Sequence, residues 1–121
     1  MNKNILIIDD EPLIIDLIES VFDLEGIDSN SCKNIKDAKI TLKSTKFDAV
    51  FLDLHLAGDF GGEILIDTKN SPDHLNYQTP FFIMSGFIND KENIKLKNLY
   101  KGLLNKPFDV NAILEVIHSL D

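Results

Sequence analysis

Four consecutive apolar residues, Ala49-Val50-Phe51-Leu52, run directly into Asp53 and then into a loop that contains Gly58, Gly61 and Gly62. No other stretch limits the fold as much. Four residues are too few for a helix but enough for a strand covered on both faces, as in a parallel sheet flanked by helices. The glycines permit a tight loop with positive φ before a new helix starts at Glu63. Asp53 then stands at the carboxyl edge of the sheet, where open α/β folds bind ligands.

The rest of the chain repeats this alternation. Ile5 to Ile8 read as a buried strand ended by Asp9-Asp10, and Pro12 suits the first turn of a helix. Leu13, Ile14, Leu17, Ile18, Val21 and Leu24 recur at helical spacing, with Asp16, Glu19 and Asp23 toward water and Gly26 as the stop. Ile27 to Cys32 make a weak, polar strand near an edge. Asn34 with Asp37 resembles an N-cap pair opening a helix on Ile35, Ala38 and Leu42, whose solvated side carries Lys36, Lys39 and Lys43. Glu63 to Lys69 predict a short helix with Ile64, Leu65 and Thr68 inward, followed by a loop at Ser71-Pro72-Asp73-His74. Phe81 to Met84 form another buried strand, ended by Ser85-Gly86. Asn89 or Asp90 caps a helix through Ile94, Leu96, Leu99 and Tyr100. Gly102 to Asn105 are a last short strand stopped by Lys106-Pro107, and Asp109 caps a helix on Val110, Ile113, Leu114, Ile117 and Leu120. Five strands alternating with five helices imply a mostly parallel sheet with helices on both faces. Strand order stays open at this point.

A chain of 121 residues suits one domain, residues 1–121, with a single core. No apolar run approaches the ~20 residues of a membrane span, and the N-terminus lacks the pattern of a signal peptide. Cys32 is the only cysteine, so no disulfide forms within the chain and a reducing, cytoplasmic setting is expected. It reads as a small packed hydrophobe. The net charge of −8 argues against direct binding of nucleic acid and favours cations, Mg2+ included, and basic partner surfaces.

The residues that follow each strand carry the chemistry. The first strand ends in Asp9-Asp10, the third in Asp53, the fourth in Ser85 and the fifth in Lys106. In a parallel sheet all these exits share one edge. Clustered carboxylates form a hard-oxygen site of the type that Mg2+ prefers. Left alone they repel, by ~4 kcal/mol for two unit charges 4 Å apart at an effective dielectric of 20. A cation or an added proton relieves this. Lys106 offsets part of the charge, and Ser85 is placed to donate to a bound oxyanion. Such a set suits phosphoryl transfer to a carboxylate, with Asp53 as the nucleophile that becomes an acyl phosphate. Taken singly, each residue has a plainer role: Asp9-Asp10 as a cap for the Pro12 helix, Asp53 and Ser85-Gly86 as turn residues, Lys106 as an exposed charge. Their occurrence at four strand ends favours the joint reading. His55 reads as a surface loop residue, with His74 and His118 unrelated to it.

Over essentially its whole length the chain resembles the receiver domain of two-component response regulators, the CheY-like family. The resemblance rests on Asp9-Asp10, Asp53 within Phe-Leu-Asp-Leu, Gly61, Ser85-Gly86 and Lys106-Pro107-Phe108, in order and spacing. It implies a doubly wound five-stranded parallel sheet in the order 2-1-3-4-5 with five helices. It also implies that Asp53 takes a phosphoryl group from a sensor histidine kinase or histidine phosphotransfer protein in a Mg2+-dependent, self-catalysed reaction, without being an enzyme otherwise. Asp10 and Asp53 would ligate Mg2+ directly and Asp9 through water, with the His55 backbone carbonyl completing the protein ligands. Ser85 and Lys106 would hold the phosphoryl group. The Lys106-Pro107 bond is expected to be cis, placing the lysine over the site.

Three positions depart from the family pattern. Ala57 replaces a usual proline, which leaves the loop less rigid. Leu103 stands where a Tyr or Phe ring usually moves inward on activation. Phe87, two beyond Ser85, is expected with His55 to shield an acyl phosphate from water. With Leu103 in that place, the signal is expected to run through Ser85 and the Phe87-to-Asp90 loop. The main rival is a degenerate receiver that acts only as a protein-protein interaction module. A flavin protein is disfavoured because Asp-Asp-Glu-Pro after the first strand repels phosphate, and an aspartyl hydrolase because an alternating Asp-x-Asp is missing. The resemblance is compatible with a free-standing regulator, a phosphorelay intermediate or a receiver cut from a longer protein. Such a domain meets a downstream protein target, away from nucleic acid and membrane, as a monomer or weak dimer.

Overall fold

The computed structural model describes residues 2–120. Five strands form one parallel sheet: β1 (Asn4–Ile8), β2 (Asp28–Cys32), β3 (Ala49–Asp53), β6 (Phe81–Ser85) and β7 (Gly102–Asn105), in the order β2-β1-β3-β6-β7. Counting only these five strands, that is the expected 2-1-3-4-5. Five helices surround them: α1 (Pro12–Leu24), α2 (Ile35–Ser44), α3 (Gly62–Lys69), α4 (Asp90–Leu96) and α5 (Val110–His118). A two-stranded antiparallel hairpin, β4 (His55–Leu56) and β5 (Asp59–Phe60), fills the loop after β3 and was absent from the sequence expectation.

The three inner strands, β1, β3 and β6, are almost continuously apolar because their alternate residues feed two cores, whereas the edge strand β2 is polar. Ile5, Ile7, Phe51, Phe82 and Met84 face α1 and α5, with Ile18, Phe22, Ile113 and Ile117 opposite them. Leu6, Ile8, Val50, Leu52 and Ile83 face the other way, toward Ala38, Leu42, Ile64, Leu65 and Leu96 of α2, α3 and α4. Phe22 meets Phe51 edge to face, with ring centroids 5.5 Å apart. Cys32 is buried, and burial pushes its thiol pKa up, as expected of an inert packed side chain. Among the described residues no helix is long and apolar enough to cross a membrane.

The caps fall where expected. Asn34 accepts from the Asp37 amide, Asp109 from Ala112, and Asn89 forms a full capping box with Glu92. Three expectations need correction. On α1 the buried stripe is Ile15, Ile18, Val21 and Phe22, whereas Leu13 and Leu24 are more than four-fifths exposed. They sit roughly 120–140° around the helix from Ile18, at 100° per residue, too far for the sheet to reach. On α5, Val110 lies outside the buried stripe of Ile113 and Ile117 and is exposed. Finally, α4 ends at Leu96 and stops short of Tyr100, because Lys97 is extended and Asn98 takes a left-handed φ of 67°.

At the end of the sheet away from Asp53, buried Asn76 joins two loops. Its Oδ1 accepts from the Phe47 amide (2.9 Å) and the Thr79 hydroxyl (2.8 Å). Its Nδ2 donates to the carbonyls of Leu42 (2.6 Å) and Thr45 (2.8 Å). Every hydrogen-bonding atom of this side chain therefore has a partner, which is what full burial of an amide requires.

Candidate functional site

Because the five strands are parallel, the segments that follow β1, β3, β6 and β7 emerge at one edge, in the sheet order in which the strands lie. Asp53, the last residue of β3, sits centrally between the exits of β1 and β6. Carboxylate oxygens of Asp9, Asp10, Glu11 and Asp53 all lie within 4.8 Å of one another. Asp9 and Asp53 are buried, while Glu11 opens to solvent.

Each buried acid is held by specific donors. Asp9 Oδ1 accepts from the Glu11 amide at 2.9 Å, and its Oδ2 accepts from Lys106 Nζ at 2.9 Å. The Asp9 carboxylate thus braces the turn into α1 as well as facing the site. Asp53 Oδ1 accepts from the His55 amide at 3.2 Å, and Oδ2 from Lys106 Nζ at 3.2 Å. Lys106 also reaches Glu11 Oε1 at 3.4 Å. Its cis peptide bond to Pro107 matches the expectation, and its amide donates to the Ser85 carbonyl at 2.8 Å. One ammonium therefore bridges the β1 and β3 exits.

The pKa shifts follow this arrangement. Burial raises the Asp53 carboxyl above its ordinary value; the His55 N–H opposes this, the Asp9 charge adds to it and Lys106 opposes it. For Lys106 burial acts downward, but the hydrogen bond and charge of Asp9, together with Asp53, outweigh it and the net shift is upward. The site thus favours the ammonium form of Lys106 and makes the ionised form of Asp53 costly, a cost that a further cation would relieve. Four hard oxygen donors from adjacent loops fit Mg2+ chemically.

Ser85 is buried at the end of β6, on the same edge, yet its hydroxyl is engaged locally. Oγ donates to the Phe87 carbonyl at 2.7 Å and accepts from the Phe87 amide at 3.1 Å. Phe87 is 72% exposed. The His55 ring turns away from Asp53, and its Nε2 donates to Glu92 Oε2 at 3.0 Å. His74 accepts from the Asn76 amide, and His118 pairs with Glu25, both outside the site.

Two participants escaped the sequence reading. Glu11 joins the acidic cluster, which its place directly after Asp9-Asp10 already allowed. The Ala57 amide donates to Asp10 Oδ2 at 3.0 Å, at the turn of the β4–β5 hairpin. Ala57 and Gly58 there have φ of 50° and 90°. Proline reaches no positive φ and has no N–H, so this turn and this bond both depend on a residue other than proline. The departure from the family pattern at Ala57 therefore ties the hairpin to the acidic loop. Gly61 closes the hairpin: its amide donates to the Leu54 carbonyl, and a Cβ there would collide with the Asp53 carbonyl.

Residues 5–118 match the model of the response regulator receiver domain. The chain belongs to that family. A receiver domain is a module of two-component systems, and the same architecture recurs in solved structures. The Vibrio cholerae chemotaxis response regulator CheY4 superposes with a TM-score of 0.87 at 16% identity over 100% of both chains. A CheY-like receiver domain protein from Methanospirillum hungatei gives 0.89 at 21% identity, over 100% of this chain and 95% of that one. Among curated proteins, the autoinducer 1 sensor kinase/phosphatase LuxN of Vibrio campbellii is 26% identical over 116 residues. That match spans 96% of this receiver domain but 13% of the length of LuxN.

Proposed function

We propose that this receiver domain is a working phosphoacceptor and that Asp53 receives the phosphoryl group. The observation that carries the reading is Lys106 Nζ, which touches both Asp9 and Asp53 inside a four-carboxylate cluster at the sheet edge. A turn residue or a capping pair explains neither the burial of Asp9 and Asp53 nor the shared ammonium.

Asp10 and Asp53 would hold Mg2+ directly and Asp9 through water, with the His55 carbonyl as a further ligand and Glu11 adding charge. When bound, Mg2+ supplies positive charge for the equatorial oxygens of the transferring group. An Asp53 oxygen forms the new P–O bond while the donor's P–N bond breaks, its electron pair leaving on the imidazole nitrogen of a histidine kinase or phosphotransfer protein. Lys106 then exchanges part of its carboxylate contacts for a phosphoryl oxygen. Ser85 reaches another oxygen once it releases Phe87, by rotation about χ1. These two rearrangements give the domain its inactive and active states, which the phosphoryl group biases. The setting is cytoplasmic and the output is binding of a protein target. Beyond its own phosphorylation and dephosphorylation the domain turns over no substrate.

The test is incubation with acetyl phosphate and Mg2+, read by intact mass. Wild type is expected to gain one phosphoryl group; Asp53→Asn, and wild type in a chelator, are expected to gain none. A wild-type chain that gains nothing is a degenerate receiver acting only through protein contacts.

A further inference from the structure

The β4–β5 hairpin stands between Asp53 and α4, and two contacts join it to that helix. His55 Nε2 donates to Glu92 Oε2 at 3.0 Å, and Lys95 Nζ lies 5.9 Å from the centroid of the Phe60 ring. The two contacts share one geometry. His55 and Phe60 are directly opposed across the hairpin, and Glu92 and Lys95 are one turn apart on α4. One rung of the hairpin thus presents two side chains, and one face of the helix meets both.

Besides these contacts α4 packs against α3 and seats one side chain in the core. Leu96 is its one buried residue, and Ile94 is 75% exposed. Glu92 serves twice, since its Oε1 accepts from the Asn89 amide in the capping box while Oε2 takes His55. His55 also serves twice, with its amide on Asp53 Oδ1 and its ring on Glu92. A continuous run of contacts therefore leads from Asp53 through His55 and Glu92 to Asn89. Two residues before Asn89 lies Phe87, whose backbone occupies the Ser85 hydroxyl.

We propose that Glu92 and Lys95 are positioning residues of the acceptor site, clamping the 55–60 hairpin to α4 in the resting arrangement and so setting how readily the site accepts a phosphoryl group. The inference rests on the phosphoacceptor reading of Asp53. Ser85 reaches a phosphoryl oxygen only by giving up Phe87, and the loss of both backbone contacts releases the 86–89 segment for displacement. That segment is tied to Glu92 through the capping box, so the clamp opposes the displacement. A weaker clamp lowers the cost of switching and raises affinity for a phosphoryl mimic. Exposed contacts of this strength shift such an equilibrium by about two- to five-fold.

The variants are Glu92→Gln, which keeps an acceptor for the Asn89 amide while weakening the His55 contact, Lys95→Met, and the two combined. One readout is the affinity for beryllofluoride with Mg2+, followed by NMR. The other is amide exchange of residues 55–61 in metal-free protein, with the β1 and β3 amides as the internal standard. The combined variant is expected to bind beryllofluoride about two- to five-fold more tightly and to exchange its hairpin amides faster, with β1 and β3 unchanged. Unchanged or weaker affinity, or hairpin amides at the wild-type rate, overturns the clamp. If wild type binds no beryllofluoride, the phosphoacceptor reading fails by itself. The exchange rates then decide the clamp alone: faster hairpin exchange in the combined variant supports it, and an unchanged rate overturns it.

Discussion

Replacing Lys106 by Met keeps the length of the side chain and removes its charge. The ammonium lies 2.9 Å from Asp9 Oδ2 and 3.2 Å from Asp53 Oδ2, and both acids are buried. Without it, two carboxylates at a separation of at most 4.8 Å face each other with no counter-charge. At that distance and an effective dielectric of 20 their repulsion is about 3.5 kcal/mol. Removing one partner of a buried pair typically costs about 3–5 kcal/mol. A loss of about 3 kcal/mol is therefore expected at pH 8 in a chelator, read from urea denaturation with an unchanged m-value. Its origin in charge dictates when it should vanish. Lys106 is one of the influences that lower the Asp53 pKa, so its removal raises that pKa further above the ordinary 3.8. Between 3.8 and the raised value the folded state binds more protons than the unfolded one, so stability falls as pH rises through this window. Below 3.8 the carboxyl is protonated in both states and the penalty disappears. The variant should thus approach wild type in acid, and at pH 8 millimolar Mg2+ should restore most of the loss. An equal loss in all conditions would mean that the stem's packing matters and the charge does not. No loss anywhere would refute the electrostatic account outright.

Other substitutions probe neighbouring parts of the structure. In wild type the raised Asp53 pKa makes its ionised form a burden, so Asp53→Asn should unfold at a higher temperature at pH 7 in a chelator, with the gain fading as pH falls toward 3.8. Asn76→Ala removes four hydrogen bonds and strands the buried Phe47 amide and Leu42 carbonyl; at about 1–3 kcal/mol for each orphaned group, a loss of about 3 kcal/mol should appear in urea denaturation. Ala57→Pro loses both the positive φ and the bond to Asp10, and should cost about 3 kcal/mol. Ala57→Gly, which relieves the φ of 50°, should be neutral to slightly stabilising in the same assay.

The parts of this molecule that a reader can take from its sequence are those governed by period and by topology. Uninterrupted apolar runs such as Ala49–Leu52 mean parallel strands, and parallel strands bring Asp9, Asp10, Asp53 and Lys106 to one edge whatever the order of the sheet. Features governed by a single backbone angle or a single tertiary contact are not legible this way. Two-residue strands have no period, so β4 and β5 could not be seen. The end of α4 depends on the left-handed Asn98, within a stretch whose Leu99 and Tyr100 continue the apolar spacing. Leu13 and Leu24 extend the apolar stripe of α1 beyond the width that the sheet covers. Asn76 looks like any polar loop residue, because nothing local shows that three backbone groups from residues 42–47 converge on it. The turn of His55 toward Glu92 likewise depends on a partner that sequence spacing does not bring together, whereas Ser85 meets the backbone of Phe87 two residues on through a rotamer that spacing does not fix.

The central claim is that one particular oxygen, on Asp53, carries the phosphoryl group. Treating the acetyl phosphate-loaded protein with borohydride reduces an aspartyl phosphate to homoserine, and peptide mass mapping then locates the reduced residue. Homoserine at position 53, dependent on Mg2+ and on prior loading, is the predicted result. Homoserine at Asp9, Asp10 or any other acid, or none at all in a protein shown to be phosphorylated, would contradict it.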